Sequence, residues 1–395
     1  MLRVLTLSTL YPDATRPNFG VFVERQTHGL AARPDIDLTV VAGLGTPPWP
    51  LSRHANYRRF DAVPTVETWN DIPVHRPRFR VLPGTGGRFH AMALARAVAR
   101  VIDPLHAARP FDVIDAEFFF PDGVAALRLG RRYGIPVSIK ARGTDIHHWS
   151  HSFATAAQVR DAARRADGIL AVSKALADDI AAFGIDRASI AVHRTGIDRS
   201  LFAVRDSTAA RTALGIAGPL IVSTGALISR KGHAIVIDAV ARLPGVSLLI
   251  AGEGPERAAL QARIATSGAG ERIHLLGNVP HRDLPHLMNA ADVMALASSS
   301  EGLANAWIEA LASGTPIVIP DAGGAREVVT TTASGRIVAR DPAAFAQAIS
   351  EILADPPHPQ ETAATVDAYS WEINRDQLHA HLDALAADSR AQSSG

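Results

Sequence analysis

Two glutamates stand eight residues apart in the segment Ser298-Ser-Ser-Glu-Gly-Leu-Ala-Asn-Ala-Trp-Ile-Glu-Ala-Leu-Ala-Ser-Gly314. An apolar run at 292–296 reads as a strand before it, and a helical pattern begins at Asn305. Eight helical residues rise about 12 Å, so Glu301 and Glu309 can face the two ends of one groove. Between them lie the backbone amides of Gly302, Leu303, Ala304 and Asn305. Acceptors at both ends with N–H donors in the middle suit a ligand with hydroxyls at its ends and an anion at its centre. A nucleoside diphosphate sugar has that layout. Taken singly, Glu301 is accounted for as a helix-capping carboxylate and Glu309 as a surface residue.

A second segment supplies positive charge. Gly225-Ala-Leu-Ile-Ser-Arg-Lys-Gly232 follows one strand and opens a helix. A glycine there permits a tight turn, and Arg230 and Lys231 precede the helix's exposed amides, a setting for phosphate. A solvated Arg-Lys pair is the bland alternative. Ala251-Gly-Glu-Gly-Pro-Glu256 superficially suggests a dinucleotide fingerprint, but Arg257 stands where the third glycine should pack.

In the N-terminal half, Ile114-Asp-Ala-Glu-Phe-Phe-Phe-Pro-Asp122 joins carboxylates to aromatic bulk at a strand end. Asp115, Glu117 and Asp122 are candidates for acceptor hydroxyls; a buried aromatic plug with a helix cap is the alternative. Asp145 is a candidate site residue or a turn-forming aspartate. His147-His-Trp-Ser-His151 has no acidic partner at ligand spacing, so no metal site is expected. Arg76, Arg78, Arg80, Arg88, Arg96 and Arg100 gather around an Ala-rich helix. They read either as a contact with an anionic membrane or as an ordinary solvated helix face.

The elements that must position these residues alternate. Strand patterns at 2–7, 38–42, 113–115, 136–140, 168–172 and 189–193 interleave with helix patterns at 22–32, 91–102, 123–133, 154–166 and 174–183. A second series has strands at 220–224, 247–251, 273–276, 292–296, 316–319 and 335–338. Its helices fall at 233–242, 257–266, 284–289, 305–312 and 343–353. Residues 202–217 carry no strand pattern and read as the crossover. Such alternation argues for parallel α/β sheets, and ligands bind at the carboxyl ends of their strands. The chain of 395 residues has 40 Lys+Arg against 39 Asp+Glu and no cysteine. It lacks the basic excess of a nucleic-acid binder and excludes disulfides and thiolate chemistry. The run 2–7 is broken by Arg3 and Thr6 and reads as a strand, not a secretory leader, and no apolar run is long enough to span a membrane. The tail after Ala386 reads as frayed.

Glu301 to Glu309, with the following Ala-Leu-Ala-Ser-Gly-Thr-Pro-Ile-Val and Gly323-Gly-Ala-Arg-Glu327, resembles the E-x7-E segment of the retaining glycosyltransferases of family 4. The resemblance spans nearly the whole chain: Gly225…Arg230-Lys231-Gly232, Ala251-Gly-Glu-Gly-Pro, Leu276-Gly-Asn-Val279, Val192-His-Arg-Thr-Gly-Ile-Asp198 and Tyr369-Ser-Trp371 follow in the family's order. It implies the GT-B fold: two Rossmann-like doubly wound domains facing across a cleft. The expected divisions are an acceptor domain at 1–203, a nucleotide-sugar domain at 204–368, and a helix with frayed tail at 369–395 that crosses back to the first domain.

The resemblance also implies roles. Glu301 would hold the donor sugar, Glu309 the ribose, and Arg230 and Lys231 the diphosphate leaving group, with the Val279 loop at the nucleobase. Gly20, in Asn18-Phe-Gly-Val, would approach the phosphates, and Asp145 and Arg142 would serve from the first domain. Three positions depart from the pattern. Ala226 stands where the family often has Arg, Arg142 where it often has His, and Thr195 where Asn is usual. The expected activity is retaining, metal-independent hexosyl transfer to a glycan or lipid-linked hydroxyl, in cell-surface polysaccharide or glycolipid assembly. No cofactor and no nucleic acid are expected. The expected location is the cytoplasm, with peripheral contact at the inner face of the membrane. The rival readings are a nucleotide-sugar epimerase or hydrolase of the same fold and, more distantly, an NAD-dependent oxidoreductase. The latter would want G-x-G-x-x-G where Ser8-Thr-Leu-Tyr-Pro-Asp13 stands.

Overall fold

A computed structural model describes residues 1–17 and 19–393. The chain divides into two compact units, one of residues 1–196 with the C-terminal helix, the other Ile197–Ser370.

The N-terminal unit holds an eight-stranded sheet. Its strands are β1 (Leu2–Leu7), β2 (Ile36–Val41), β4 (Val66–Trp69), β5 (Ile72–His75), β7 (Val113–Ala116), β8 (Val137–Ala141), β9 (Gly168–Ala171) and β10 (Ile190–Val192), in the order β10-β9-β8-β7-β1-β2-β5-β4. All pairs are parallel except β4–β5, a hairpin closed by Asn70 and Asp71 at φ 45° and 66°. Short polar residues tolerate that left-handed backbone, as a two-residue hairpin turn requires. Two further strands, β3 (Leu44–Thr46) and β6 (Arg78–Arg80), pair in parallel just beyond β2 and β5. These four strands between residues 44 and 80 are absent from the sequence expectation. They are three or four residues long, and Pro73 lies inside β5, where proline argues against a strand. It is tolerated because the parallel pairing of β5 with β2 is carried by Val74 and His75.

The helix His90–Ala108 runs six residues past its expected end and through Pro104. Arg100, whose carbonyl loses its partner there, is solvent-exposed. At the C-terminus the frayed tail gives way to order. Helix Trp371–Ser393 is continuous past Ala386 because Leu378, Leu382 and Ala386 bury against Leu2, Val4, Leu30 and Val113. Ser394 and Gly395 lie outside the described residues.

The second unit has six strands, β11 (Leu220–Thr224), β12 (Ser247–Ala251), β13 (Ile273–Gly277), β14 (Val293–Ala295), β15 (Ile317–Pro320) and β16 (Gly335–Val338). They are all parallel in the order β13-β12-β11-β14-β15-β16. Winding reverses between β11 and β14, the position where such sheets leave a crevice for a ligand. Ile221, Ile237, Leu248, Ile250, Phe345 and Ile349 form part of its buried core. The unit begins earlier than residue 204, since Phe202 is buried with its ring edge-on to His281. The bridge between Ile197 and Ser370 joins its two ends.

Candidate functional site

At the winding reversal of the second unit, the loop after β14 is locked to the loop after β11 on one side and the loop after β15 on the other. Gly232 has φ 68°, and a Cβ there would stand 2.1 Å from the Ala297 carbonyl oxygen. Gly323 has φ 53°, and a Cβ there would stand 2.0 Å from the Glu301 carbonyl oxygen. Only glycine fits either position. The Ser299 amide donates to the Arg230 carbonyl at 2.8 Å. Arg340 braces the loops after β14 and β11, with Nε donating to the Ala297 carbonyl at 2.7 Å and Nη2 to the Ser229 carbonyl at 3.2 Å.

On that frame Lys231 Nζ donates to Glu301 Oε1 at 2.6 Å, while Arg230 Nη1 lies 3.5 Å from Glu301 Oε2 and donates to the Ser300 carbonyl at 2.6 Å. Two cations thus meet one nearly buried carboxylate and leave a surplus positive charge. The Lys231 stem passes Gly225, which an added Cβ would bring to 3.6 Å. Ala226 is exposed, and Arg230 stands beside Glu301. Helix Asn305–Ala312 begins here with Ala304 at its N-cap and no side-chain cap. Gly302, Leu303 and Ala304 are buried and Asn305 half-buried. An uncapped helix N-terminus offers N–H donors and the positive end of its dipole.

Glu301 precedes this helix, so the helical span expected between the two glutamates is replaced by a loop-to-helix step. Glu309 lies in the second turn and contacts His281 Nε2 at 2.8 Å through Oε1. His281 follows β13 and Val279, which is half-buried in the same connection. Sequence reasoning missed His281, Arg340 and His233. The first two act across long sequence separations. His233 is fully buried, with Nδ1 3.0 Å from Ser223 Oγ. Burial, with the Lys231 charge adding, pulls its pKa to about 4, so the ring is neutral near pH 7.

The N-terminal unit assembles a different cluster at the carboxyl ends of its strands. Gly20 caps helix Val21–Ala31 with φ 76° and no side-chain cap; Asn18 lies outside the described residues. Glu117, fully buried, pairs with Arg142 and bonds to Gln26. Arg142 also donates from Nε to the Glu117 carbonyl at 3.0 Å and lies over the Phe22 ring at 4.8 Å. Lys140 bonds to Gln26 and lies 2.7 Å from His193 Nδ1. His193 Nε2 faces the Asn374 carbonyl at 2.8 Å. Nε2 therefore carries the hydrogen, and Nδ1 accepts from Lys140. Burial raises the Glu117 carboxyl, but Arg142 and Lys140 outweigh it and leave the group below its usual range. Burial, then Glu117, pushes Asp115 well above its usual range. Burial, then Arg142, pulls Lys140 well down.

Several expected roles change here. Asp145 is fully buried and its carboxylate is taken up by backbone amides: Phe119 at 3.0 Å, Arg142 at 3.0 Å, Gly143 at 2.8 Å and Ile146 at 3.2 Å. It ties the loop after β8 to the loop after β7 rather than facing a substrate. Arg142 is committed to Glu117 rather than free for an anion. Asp122 accepts from the Thr9 amide at 2.8 Å, and burial raises its pKa to about 7. Phe119 and Phe120 are buried, as the plug alternative has it. Thr195 is buried too. His147 pairs with Asp179 at 2.9 Å, and His148 sits edge-on to Trp149. Among the described residues no three His, Cys, Asp or Glu side chains gather to hold a metal. The arginine stripe is broken, because Arg76 is buried against Glu67 and Arg78 donates to the carbonyls of Phe60 and Val63.

Residues 206–367 match the sequence profile described as glycosyl transferases group 1, and residues 19–196 match that of the glycosyl transferase 4-like domain. The chain belongs to the GT-B glycosyltransferases. This glycosyltransferase is 28% identical over 333 residues to TuaC of Bacillus subtilis (strain 168), covering 82% of each chain. TuaC's name places it in teichuronic acid biosynthesis. It is 34% identical over 230 residues to D-inositol 3-phosphate glycosyltransferase of Mycolicibacterium vanbaalenii, covering 53% of this chain and 51% of the relative. Among solved structures, Anabaena HepE in complex with UDP shares the fold with TM-score 0.75 at 21% identity, over 97% of this chain and all of the other. Sucrose-phosphate synthase from Thermosynechococcus elongatus does so with TM-score 0.75 at 19% identity, over 100% and 98%. The epimerase and nicotinamide readings are not favoured beside these relatives. Among the described residues no helix is long and apolar enough to cross a membrane.

Proposed function

We propose that this glycosyltransferase takes a sugar from a nucleoside diphosphate sugar and passes it to a hydroxyl of a glycan or lipid-linked acceptor with retained anomeric configuration. The reading rests on one observation above others: Lys231 and Arg230 converge on Glu301 beside the uncapped helix Asn305–Ala312, at the winding reversal of a parallel sheet. A diphosphate seated there meets two cations and the helix dipole, and Glu301 remains to accept from sugar hydroxyls. As the bond from the anomeric carbon to the phosphate oxygen breaks, negative charge grows on the diphosphate. Preorganised cations and amides stabilise it without a metal ion. The acceptor oxygen bonds to the anomeric carbon, and its proton passes to the departing phosphate. Glu309, half-buried and paired with His281, is assigned to the ribose hydroxyls. The pathway proposed is cell-surface polysaccharide or glycolipid assembly on the cytoplasmic side of the membrane.

A thermal-shift screen over UDP, GDP, ADP and their sugars tests the donor class, since a ligand of the folded state raises its stability. UDP heads the set because HepE was solved with it. A shift of several degrees with one nucleotide supports the reading; no shift with any contradicts it. Product analysis without acceptor follows, where an intact donor favours transfer and a rapidly consumed or epimerised one favours the rival chemistry.

A further inference from the structure

A glutamate side chain turns about several torsions, and a ligand that meets a loose carboxylate must order it first, at a cost in affinity. Glu309 is ordered in advance. His281 Nε2 donates to its Oε1 at 2.8 Å across 28 residues of sequence. The bond engages one carboxylate oxygen of the pair, and Oε2 can accept from a ligand hydroxyl. The His281 side chain is 26% exposed and that of Glu309 13%. A pair that water still reaches adds little to stability. What the contact fixes is the direction of the carboxylate.

The imidazole is itself held from behind. Phe202, fully buried, meets it edge-on, with ring centres 5.2 Å apart and planes at 65°. The segment that carries Phe202 is pinned to helix Leu284–Ala290, which follows the turn His281–Asp283. There the Arg205 amide donates to Asn289 Oδ1 at 2.7 Å, and Asn289 Nδ2 donates to the Pro285 carbonyl at 2.9 Å. Pro280 precedes the histidine at φ −56°, close to the value its ring imposes. An aromatic wall, a pinned segment and a stiff backbone thus converge on one orientation of the ring.

Glu309 follows Asn305 by four residues on the helix Asn305–Ala312, a rise of about 6 Å, and long helical side chains lean toward the N-terminus. A ribose joined to a diphosphate at that N-terminus is therefore within its reach. We propose that His281 is a positioning residue for the donor: by holding Oε1 it presents Glu309 Oε2 to the ribose hydroxyls, and so makes the site select ribonucleotides over nucleotides that lack those hydroxyls. The proposal rests on the assignment of Glu309 to the ribose. A site built to bond a hydroxyl rejects the analogue without it, because its own polar group is left unpaired. That rejection is sharp only when the carboxylate cannot swing away, and His281 prevents the swing.

The test is calorimetric titration of the full chain with UDP, GDP and ADP, and with the 2′,3′-dideoxy counterpart of each that binds. The ratio of the two dissociation constants reads the preference for ribose. The wild type should favour the ribonucleotide about tenfold or more. His281→Leu keeps volume against Phe202 and removes the donor. It should cut the ratio to about threefold or less through ribonucleotide affinity alone, while dideoxynucleotide affinity and melting temperature hold. His281→Gln, whose amide nitrogen can stand in for Nε2, should restore the ratio. Glu309→Ala should abolish it, and adding His281→Leu to Glu309→Ala should change it no further. A ratio kept in His281→Leu but lost in Glu309→Ala overturns the proposal and leaves the ribose assignment standing. Equal loss of both nucleotides in His281→Leu, or no restoration by His281→Gln, reduces the pair to a structural contact and overturns it too. A wild-type ratio near one, a ratio indifferent to Glu309→Ala, or binding of none of the nucleotides removes the ribose assignment and this proposal with it.

Discussion

Each unit places one glutamate among basic side chains at the carboxyl end of a parallel sheet, and the two clusters do opposite work. Glu301 meets Lys231 and Arg230, whose side chains remain 16% and 36% exposed. Glu117 pairs with Arg142, 6% exposed, and is linked through Gln26 to a fully buried Lys140. In the first, water can leave and a ligand can enter. In the second every charge is already enclosed and bonded, through Gln26 and His193 to the backbone of the C-terminal helix at Asn374. Residue type does not distinguish a binding site from a buried brace. Burial does, because an enclosed charge must be paired within the fold, while a half-open one can exchange its partner.

The contrast can be broken from either side. Glu117→Gln leaves the enclosed Arg142 without its counter-charge, and should cost about 3–5 kcal/mol in denaturant unfolding. Lys231→Ala should do the reverse, lowering turnover by about 10²–10³-fold while the denaturation midpoint barely moves. Equal stability losses in the two variants would erase the distinction.

The C-terminal brace also has a pH signature. Burial pulls the His381 pKa to about 4, with Lys140 adding. The unfolded state therefore binds a proton that the folded state refuses between about pH 6.5 and 4. Stability from this group is full above that window and falls as pH drops through it. His233 acts in the same direction, whereas Asp122, raised to about 7, loses its contribution as pH rises. His381 Nε2 lies 3.0 Å from Ser138 Oγ; His381→Gln, which can keep that bond, should make the acid limb shallower by up to roughly 3 kcal/mol across the window, and an unchanged limb would remove His381 from it. The smallest effect is expected at Glu309→Ala. Nucleotide affinity should weaken about tenfold by calorimetry with stability kept, and unchanged affinity would sink the ribose assignment.

Much of the fold was legible because the hydrophobic pattern and the core agree. Strands 2–7, 220–224, 247–251 and 335–338 and helices 257–266 and 305–312 stand where the pattern places them. The strands between 44 and 80 were not, being too short for a period to show. In the second unit the motif residues were legible because glycines and cations at strand ends are local signals. The pairings of Glu309 with His281, and of Arg340 with Ala297 and Ser229, are not local, and no spacing rule reaches them. The links of Asp145 to the Phe119 amide and of Arg142 to Glu117 reach the loop after β7. No spacing in the sequence shows them.

The central claim is that Lys231, Arg230 and Glu301 form a diphosphate site. Calorimetric titration of wild type and Lys231→Ala with UDP, GDP and ADP tests it most directly. One nucleotide should bind the wild type and lose most of its affinity in the variant. Equal affinity in both proteins, or binding of none of the three, would contradict it.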